Sequence, residues 1–457
     1  MSNPGEADAT PITERRQLLD YLAAGCKPRD AWRIGTEHEK FGFRTTDFAP
    51  PPYEPAGIRA MLEGMCRFGW EPILDAGKPI GLKDNGTRAG ASVSLEPGGQ
   101  FELSGGMLEN LHDTRRELNA HFAEVRAAGG PLGLGFAPLG FHPTMPRAAM
   151  PWMPKSRYAI MRRYMPRKGR LGLDMMLRTC TVQVNLDFAS EADMVRKMRV
   201  GLALQPVATA LFANSPFTEG RPNGFLSYRA HIWTDTDPDR TGIPGMVFED
   251  GFGFERYVEW LLDVPMYFIQ REGAFVDLAG GSFRDFLQGR LAERPGERPT
   301  LGDFADHLTT VFTDVRLKRF LEMRGADAGP PAMMLAQSAL WVGLLYDEAA
   351  LAAAAALVAA HPWREFAALR PLVPRLGLAT PWQGGRLADL AREVVAIAAD
   401  GLAARGRRDP DGQDERAHLA PLQEIVAGGP TQAEHWLRCF YGSWKQDVTR
   451  IFAETAV

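Results

Sequence analysis

The chain has 457 residues, 45% hydrophobic and 24% charged, and its 52 Lys+Arg against 56 Asp+Glu give a formal charge of −4. That balance belongs to a folded globular chain and lacks the basic footprint that general nucleic-acid or membrane-surface binding requires. Four cysteines with no CxxC pair leave neither a disulfide framework nor a zinc knuckle, and scattered thiols fit a reducing compartment. The polar start, MSNPGEADATPITERRQ, has no apolar core of signal-peptide type. The longest uncharged stretches, residues 200–218 and 328–346, are interrupted by Gln205, Pro206, Pro330 and Pro331 and read as buried helices. The expectation is a cytoplasmic protein with no membrane and no nucleic-acid partner.

In chain order, residues 13–24 form an opening helix with Leu18, Leu19, Tyr21 and Leu22 on its apolar side. Short alternating segments rich in Phe, Val and Thr then run to residue 323 between Gly and Pro clusters. Helices are predicted at residues 109–126 and 191–212, the second kinked or broken at Pro206. Beyond Gly325 the pattern is helical: Asp347 caps an alanine run at residues 349–360, and His361-Pro362 ends it. Residues 405–416 form a charged surface loop. The fold class is α+β, one catalytic domain whose motif-bearing core spans residues 32–327 and whose remainder, 328–457, is mainly helical.

Four segments carry candidate chemistry. In a strand at residues 33–43, Glu37 and Glu39 point the same way, with His38 opposite as a hydrogen-bonded structural histidine. Buried, two such carboxylates repel unless a cation sits between them, and hard divalent metals take oxygen ligands of this kind; a solvated edge strand is the bland alternative. In residues 92–106, Glu96, Gln100 and Glu102 share parity around Pro97-Gly98-Gly99, which is also an ordinary hairpin turn. Residues 179–188 alternate cleanly, with Thr181, Gln183, Asn185 and Asp187 on one face and Cys180 a packed thiol on the other. In residues 315–327, Arg316, Lys318, Phe320, Glu322 and Arg324 share a face, either an ion-pair ladder or a carboxylate beside an anion clamp. Two further segments add Arg229, His231 and Trp233 on one face, and a run at residues 155–170 with seven basic residues and no acidic one, either solvated or receiving polyphosphate. No P-loop, GxGxxG, GxSxG or HExxH occurs, so a bound nucleotide would have to be gripped by carboxylate-held metal ions.

Together these blocks resemble the glutamate–cysteine ligases of the plant and proteobacterial type. The ordered series is WRIGTEHEKFGF (32–43), SLEPGGQFELSG (94–105), PKSRYAIMRRYMP (154–166), LGLDMMLRTCTVQVNLDF (171–188), ANSPFTEGRPNGFLSYRAHIWTDTD (213–237), LDVPMYF (262–268) and HLTTVFTDVRLKRFLEMRGAD (307–327). The region beyond about residue 348 is the least diagnostic. The resemblance implies a glutamine-synthetase-like antiparallel sheet around an ATP and metal site, and ligation of L-cysteine to the γ-carboxylate of L-glutamate through γ-glutamyl phosphate, the first step of glutathione synthesis. By motif position it implies Glu37, Glu39, Glu96, Glu102, Gln183 and Glu322 around Mg²⁺ or Mn²⁺. Arg229 and Arg324 become anion contacts for the substrate carboxylate and polyphosphate, with Asn185, Trp233 and Thr234 lining the amino-acid pocket. A monomer or homodimer is expected. Plant members use cysteine pairs for redox control; with Cys180 on an apolar strand face, no such switch is expected here. Three other readings remain: a γ-glutamyl ligase with another amine acceptor, a binding regulator without catalysis and, ranked last for want of a recognised module, an RNA-binding protein using the run at residues 155–170.

Overall fold

The computed structural model describes residues 8–457. Its opening helix is α1, Arg16–Ala23. Nine strands then build one sheet: β1 (Ile34–Arg44), β2 (Glu71–Asp75), β3 (Lys78–Lys83), β4 (Ser92–Leu95), β5 (Phe101–Ser104), β6 (Leu134–Ala137), β7 (Thr181–Leu186), β8 (Val315–Leu317) and β9 (Leu321–Asp327). The order is β8-β9-β7-β1-β5-β4-β3-β2, with β6 pairing the far end of β1, and every pairing is antiparallel. One face is apolar (Leu103, Val182, Val184, Leu186) and must be covered. The cover comes from α2 (Leu111–Gly129), α4 (Glu191–Leu211) and α6 (Pro331–Leu345); between the first two in sequence lies α3 (Arg157–Tyr164), and α5 (Tyr228–Ile232) follows α4. The opposite, polar face is left for chemistry.

Local signals explain several elements. Asn110 and Ser190 cap α2 and α4 by accepting from the backbone three residues on, and Asp347 does the same for α7, Glu348–Ala359. The predicted break at Pro206 does not occur: α4 runs through it as one helix, buried by its neighbours for most of its second half. Residues 315–327, read as one strand, are a hairpin, with Arg316 facing Glu322 across β8 and β9. The Arg229–Trp233 segment, also read as a strand, is helical because Ser227 accepts from Ala230 N and starts α5. Among the described residues, no single helix is long and apolar enough to cross a membrane.

After α7, α8 (Leu387–Arg405) crosses α6 at two glycines. A Cβ on Gly401 would lie 1.9 Å from the Gly343 carbonyl oxygen, so the helix backbones touch there. Gly401→Ala is therefore expected to cost about 1–3 kcal/mol by forcing the pair apart, read as a lower denaturant midpoint at unchanged slope.

Burial also holds histidines neutral. His307 is pushed down to about 4, and His142 to about 3, each chiefly by loss of solvent. The unfolded chain takes up these protons near the ordinary histidine value while the folded chain does not, so stability is lost as pH falls from about 6.5 toward 4. His307→Gln should flatten that slope in thermal unfolding measured at several pH values.

Candidate active site

Strand register assembles the site. Glu37 lies opposite Gln183 on one side and Ser104 on the other, while Glu39 lies opposite Glu102, which in turn faces Ser94. With side chains alternating, these groups and Asn185 stand on the polar face in adjacent rows. Glu96 arrives from the β4–β5 turn, closed by Gly99 at φ +85°, a conformation glycine adopts freely. Gln100, of matching parity, serves the turn: it accepts from Gly98 N at 2.8 Å and donates to the Met176 and Thr179 carbonyls.

The carboxylates are oriented as well as clustered. Glu37 accepts from Asn185 Nδ2 at 2.7 Å and from Gln183 Nε2 at 3.4 Å. Glu39 accepts from Thr181 N at 2.9 Å, and Glu102 from Ser94 Oγ at 2.8 Å. Glu37, Glu39, Glu96 and Glu102 are each less than 9% exposed. Burial and the neighbouring Glu102 push Glu96 up to about 7, and burial with Glu102 and Glu96 holds Glu39 well above the carboxylate range. Glu96 Oε1 is buried with no hydrogen-bond partner. Such a set consists of hard oxygen donors, the chemistry that suits Mg²⁺ or Mn²⁺.

Glu322 is placed differently. Arg316 grips it with both arms, at 2.5 and 2.9 Å, Arg324 Nη1 reaches it at 3.0 Å, and Lys318 lies 3.7 Å away. The cations hold it ionised against its burial. It joins the acidic row to the basic one, and Arg324 also donates to Gln183 Oε1.

A cavity opens onto part of this face. It is lined by Glu39, Glu96, Gln183, Arg229 and Arg324, and its apolar wall is Met161, Met175, Met176, Trp233 and Phe312. Arg229 is 3% exposed, with Nη2 donating to the Arg324 carbonyl at 2.9 Å and Nε without a partner. Trp233 lines the cavity, its buried Nε1 unpartnered. Thr234 does not join it: the residue is exposed and its hydroxyl donates to the His231 carbonyl at 2.7 Å. His231 also points elsewhere, stacked on Phe225 at 4.4 Å. His38, expected to be hydrogen-bonded, has two unpartnered ring nitrogens and packs edge-on against His121.

Two groups escape sequence reasoning. Of the seven basic residues in the run at 155–170, Lys155 and Arg157 are buried, whereas Arg162, Arg163, Arg167 and Arg170 are exposed. Burial and Arg157 lower Lys155 to about 7, with Glu96 and Glu102 opposing the shift. Asp327 is the other. It accepts from Ser215 Oγ, Ser227 Oγ and Asn214 N at 2.6–2.9 Å, and so fixes the start of α5 that carries Arg229. Neither buried cation is marked by strand parity, because both lie at the start of a helix.

Known proteins resemble the chain in sequence and in fold. The family model described as glutamate-cysteine ligase family 2 matches residues 33–454. The chain is 52% identical to the chloroplastic glutamate–cysteine ligase of Medicago truncatula, covering 99% of this chain and 88% of that one. It is 53% identical to the chloroplastic enzyme of Brassica juncea, over 99% and 87%. A crystal structure of glutamate–cysteine ligase from Francisella tularensis in complex with AMP shares the fold, with a TM-score of 0.55 at 11% identity, covering 93% of this chain and 89% of that one. The expected cytoplasmic location is corrected by the relatives, which are chloroplastic enzymes; a missing signal-type start does not discriminate between compartments. With more than half of its positions shared along nearly its whole length, the chain belongs to the glutamate–cysteine ligase family and is a ligase.

Proposed function

We propose that the chain joins the amine of L-cysteine to the γ-carboxylate of L-glutamate with cleavage of ATP, the step that opens glutathione synthesis. The carrying observation is the cavity itself, lined by the buried Glu39 and Glu96, with Glu37 and Glu102 beside them on the same strand face, Arg229 and Arg324 at its side and a methionine-rich wall. Arg229 is assigned to a substrate carboxylate, matching its buried, partnerless Nε, and Arg324 to polyphosphate. The Met161, Met175, Met176 and Trp233 wall is apolar and polarisable, a surface suited to a thiol side chain. ATP is assigned to the cleft beyond Glu37, lined by Lys83, Lys318, Ser92 and Ser104.

A carboxylate is a poor acylating agent, so the γ-carboxylate oxygen attacks the γ-phosphorus, the bond to the β-phosphate oxygen breaks, and ADP leaves. The cysteine amine then attacks the acyl carbon of γ-glutamyl phosphate, the C–O bond to phosphate breaks, and the amine loses a proton. Mg²⁺ or Mn²⁺ would be held by Glu37, Glu39, Glu96 and Glu102, with Gln183 and Glu322 beside them, as a fit to the oxygen-donor set and the unpartnered Glu96 Oε1. When bound, the ion neutralises charge on the transferred phosphoryl group. Arg324 and Arg229 would hold the reactants in line, with the chain acting as a monomer or homodimer.

The test is ADP release with Mg²⁺, ATP and L-glutamate, with and without L-cysteine, and the product identified by mass. Cysteine-dependent ADP with γ-glutamylcysteine formed is the expected result. ADP release that ignores cysteine but responds to another amine would overturn the acceptor, and no ADP with any amine would overturn the ligase mechanism.

A further inference from the structure

A second constellation lies in the C-terminal helices, outside the cavity's lining. His435 and Cys439 are one helical turn apart on α9, Gln432–Tyr441, and Glu454 comes from α10, Arg450–Thr455. One ligand atom from each lies within 4.8 Å of the other two. His435 Nε2 is 3.6 Å from Cys439 Sγ. Bonds of about 2.0–2.1 Å to nitrogen and about 2.3 Å to sulfur at a tetrahedral angle place two ligands about 3.5 Å apart, so these two already stand at a zinc bite. Helical i,i+4 spacing creates this pair without the CxxC motif that is absent from the sequence.

The third ligand is pre-oriented. Trp444 Nε1 donates to Glu454 Oε1 at 2.6 Å, leaving Oε2 available. Trp444 is itself locked in the core, stacked on Trp436, which packs edge-on against His435. Partners of this kind fix first ligands at metal sites. Burial, and after it the negative charge of Glu454, push the Cys439 thiol up.

We propose that His435, Cys439 and Glu454 form a binding site for a borderline divalent cation, Zn²⁺, with a water in the fourth position. Binding converts the thiol to a metal thiolate and releases its proton to solvent. Nitrogen and sulfur donors separate this site from the all-oxygen set of the active site, so Mg²⁺ does not compete for it. The ion ties α9 to α10. Phe452 of α10 packs 4.9 Å from Phe43 at the end of β1, and Val457 N donates to the Phe136 carbonyl of β6, so the clamp holds the C-terminal segment against the strand that carries Glu37 and Glu39.

The experiment is a Co²⁺ titration of the full-length, chelator-treated protein in excess Mg²⁺, followed in the near ultraviolet, where only a thiolate ligand gives sulfur-to-metal charge transfer. One equivalent of Co²⁺ is expected to produce the band, Zn²⁺ to abolish it, and Cys439→Ser to eliminate it while Cys66→Ser retains it. Trp444→Phe keeps the band but weakens affinity about tenfold or more. No band in the wild type, or a band that survives in Cys439→Ser, would overturn the site. His435→Gln provides a second variant on an exposed position: unchanged Co²⁺ affinity there would overturn it equally.

Discussion

Glu37→Gln is expected to reduce ATP turnover by at least about a hundredfold, the scale on which metal-site groups act, while the melting temperature stays level or rises. The substitution keeps shape and removes one negative charge from a face that also holds Glu39, Glu96 and Glu102. The new amide oxygen can accept from Gln183 Nε2 and its NH2 can donate to Asn185 Oδ1, which has no partner, once the Asn185 amide turns over, so two local hydrogen bonds are kept. Steady-state ADP release at several Mg²⁺ concentrations checks it. A turnover deficit that shrinks as Mg²⁺ is raised assigns Glu37 to cation binding; turnover equal to wild type would remove it from the set.

The second large effect concerns stability. Arg240 and Asp237 are fully buried and paired at 2.7 Å. Arg240 also donates to the Pro265 and Thr310 carbonyls and lies 3.9 Å from the Tyr267 ring centroid, and Tyr267 donates to Asp237. Arg240→Met leaves the aspartate uncompensated in the interior, a change that costs about 3–5 kcal/mol. The double variant Arg240→Met, Asp237→Leu should regain part of that loss, because no lone charge then stays buried. Denaturant unfolding of both variants measures the difference, and equal losses in single and double would refute the pairing as the cause. The cavity is affected too, since the Arg240 carbonyl accepts from the N–H of Phe312, which lines it.

What could be read from sequence follows from which forces act locally. Residues 33–43 and 179–188 alternate strictly, and period-two alternation places Glu37, Glu39, Gln183 and Asn185 on one face without knowledge of the partner strand. The β4–β5 hairpin was equally visible, because Gly98 and Gly99 mark the turn. The β8–β9 hairpin was hidden: its turn is Lys318-Arg319-Phe320, with neither Gly nor Pro, so one strand of shared parity was the natural reading. Parity still put Glu322 beside Arg316 and Arg324, because facing residues of a hairpin share a face. At Arg229–Trp233 the wrong period sent His231 toward the site with Arg229 and Trp233, although Ser227 held the helix start in plain view; Thr234, which only the family resemblance implied, lies exposed. The burial of Lys155 and Arg157 depends on what packs over them, and no local pattern distinguishes them from the solvated arginines that follow.

The rows of paired residues across β5, β1 and β7 have an evolutionary corollary. Deleting one residue between Gly35 and Glu37 would turn His38 and Lys40 toward the cavity and drive two carboxylates into the apolar layer under α2 and α6, whichever side chains were kept. Point changes along β1 can be absorbed one at a time. Changes of length cannot, so gaps among descendants of this chain should fall in surface segments such as residues 410–413 and spare the spacing of the acidic strands.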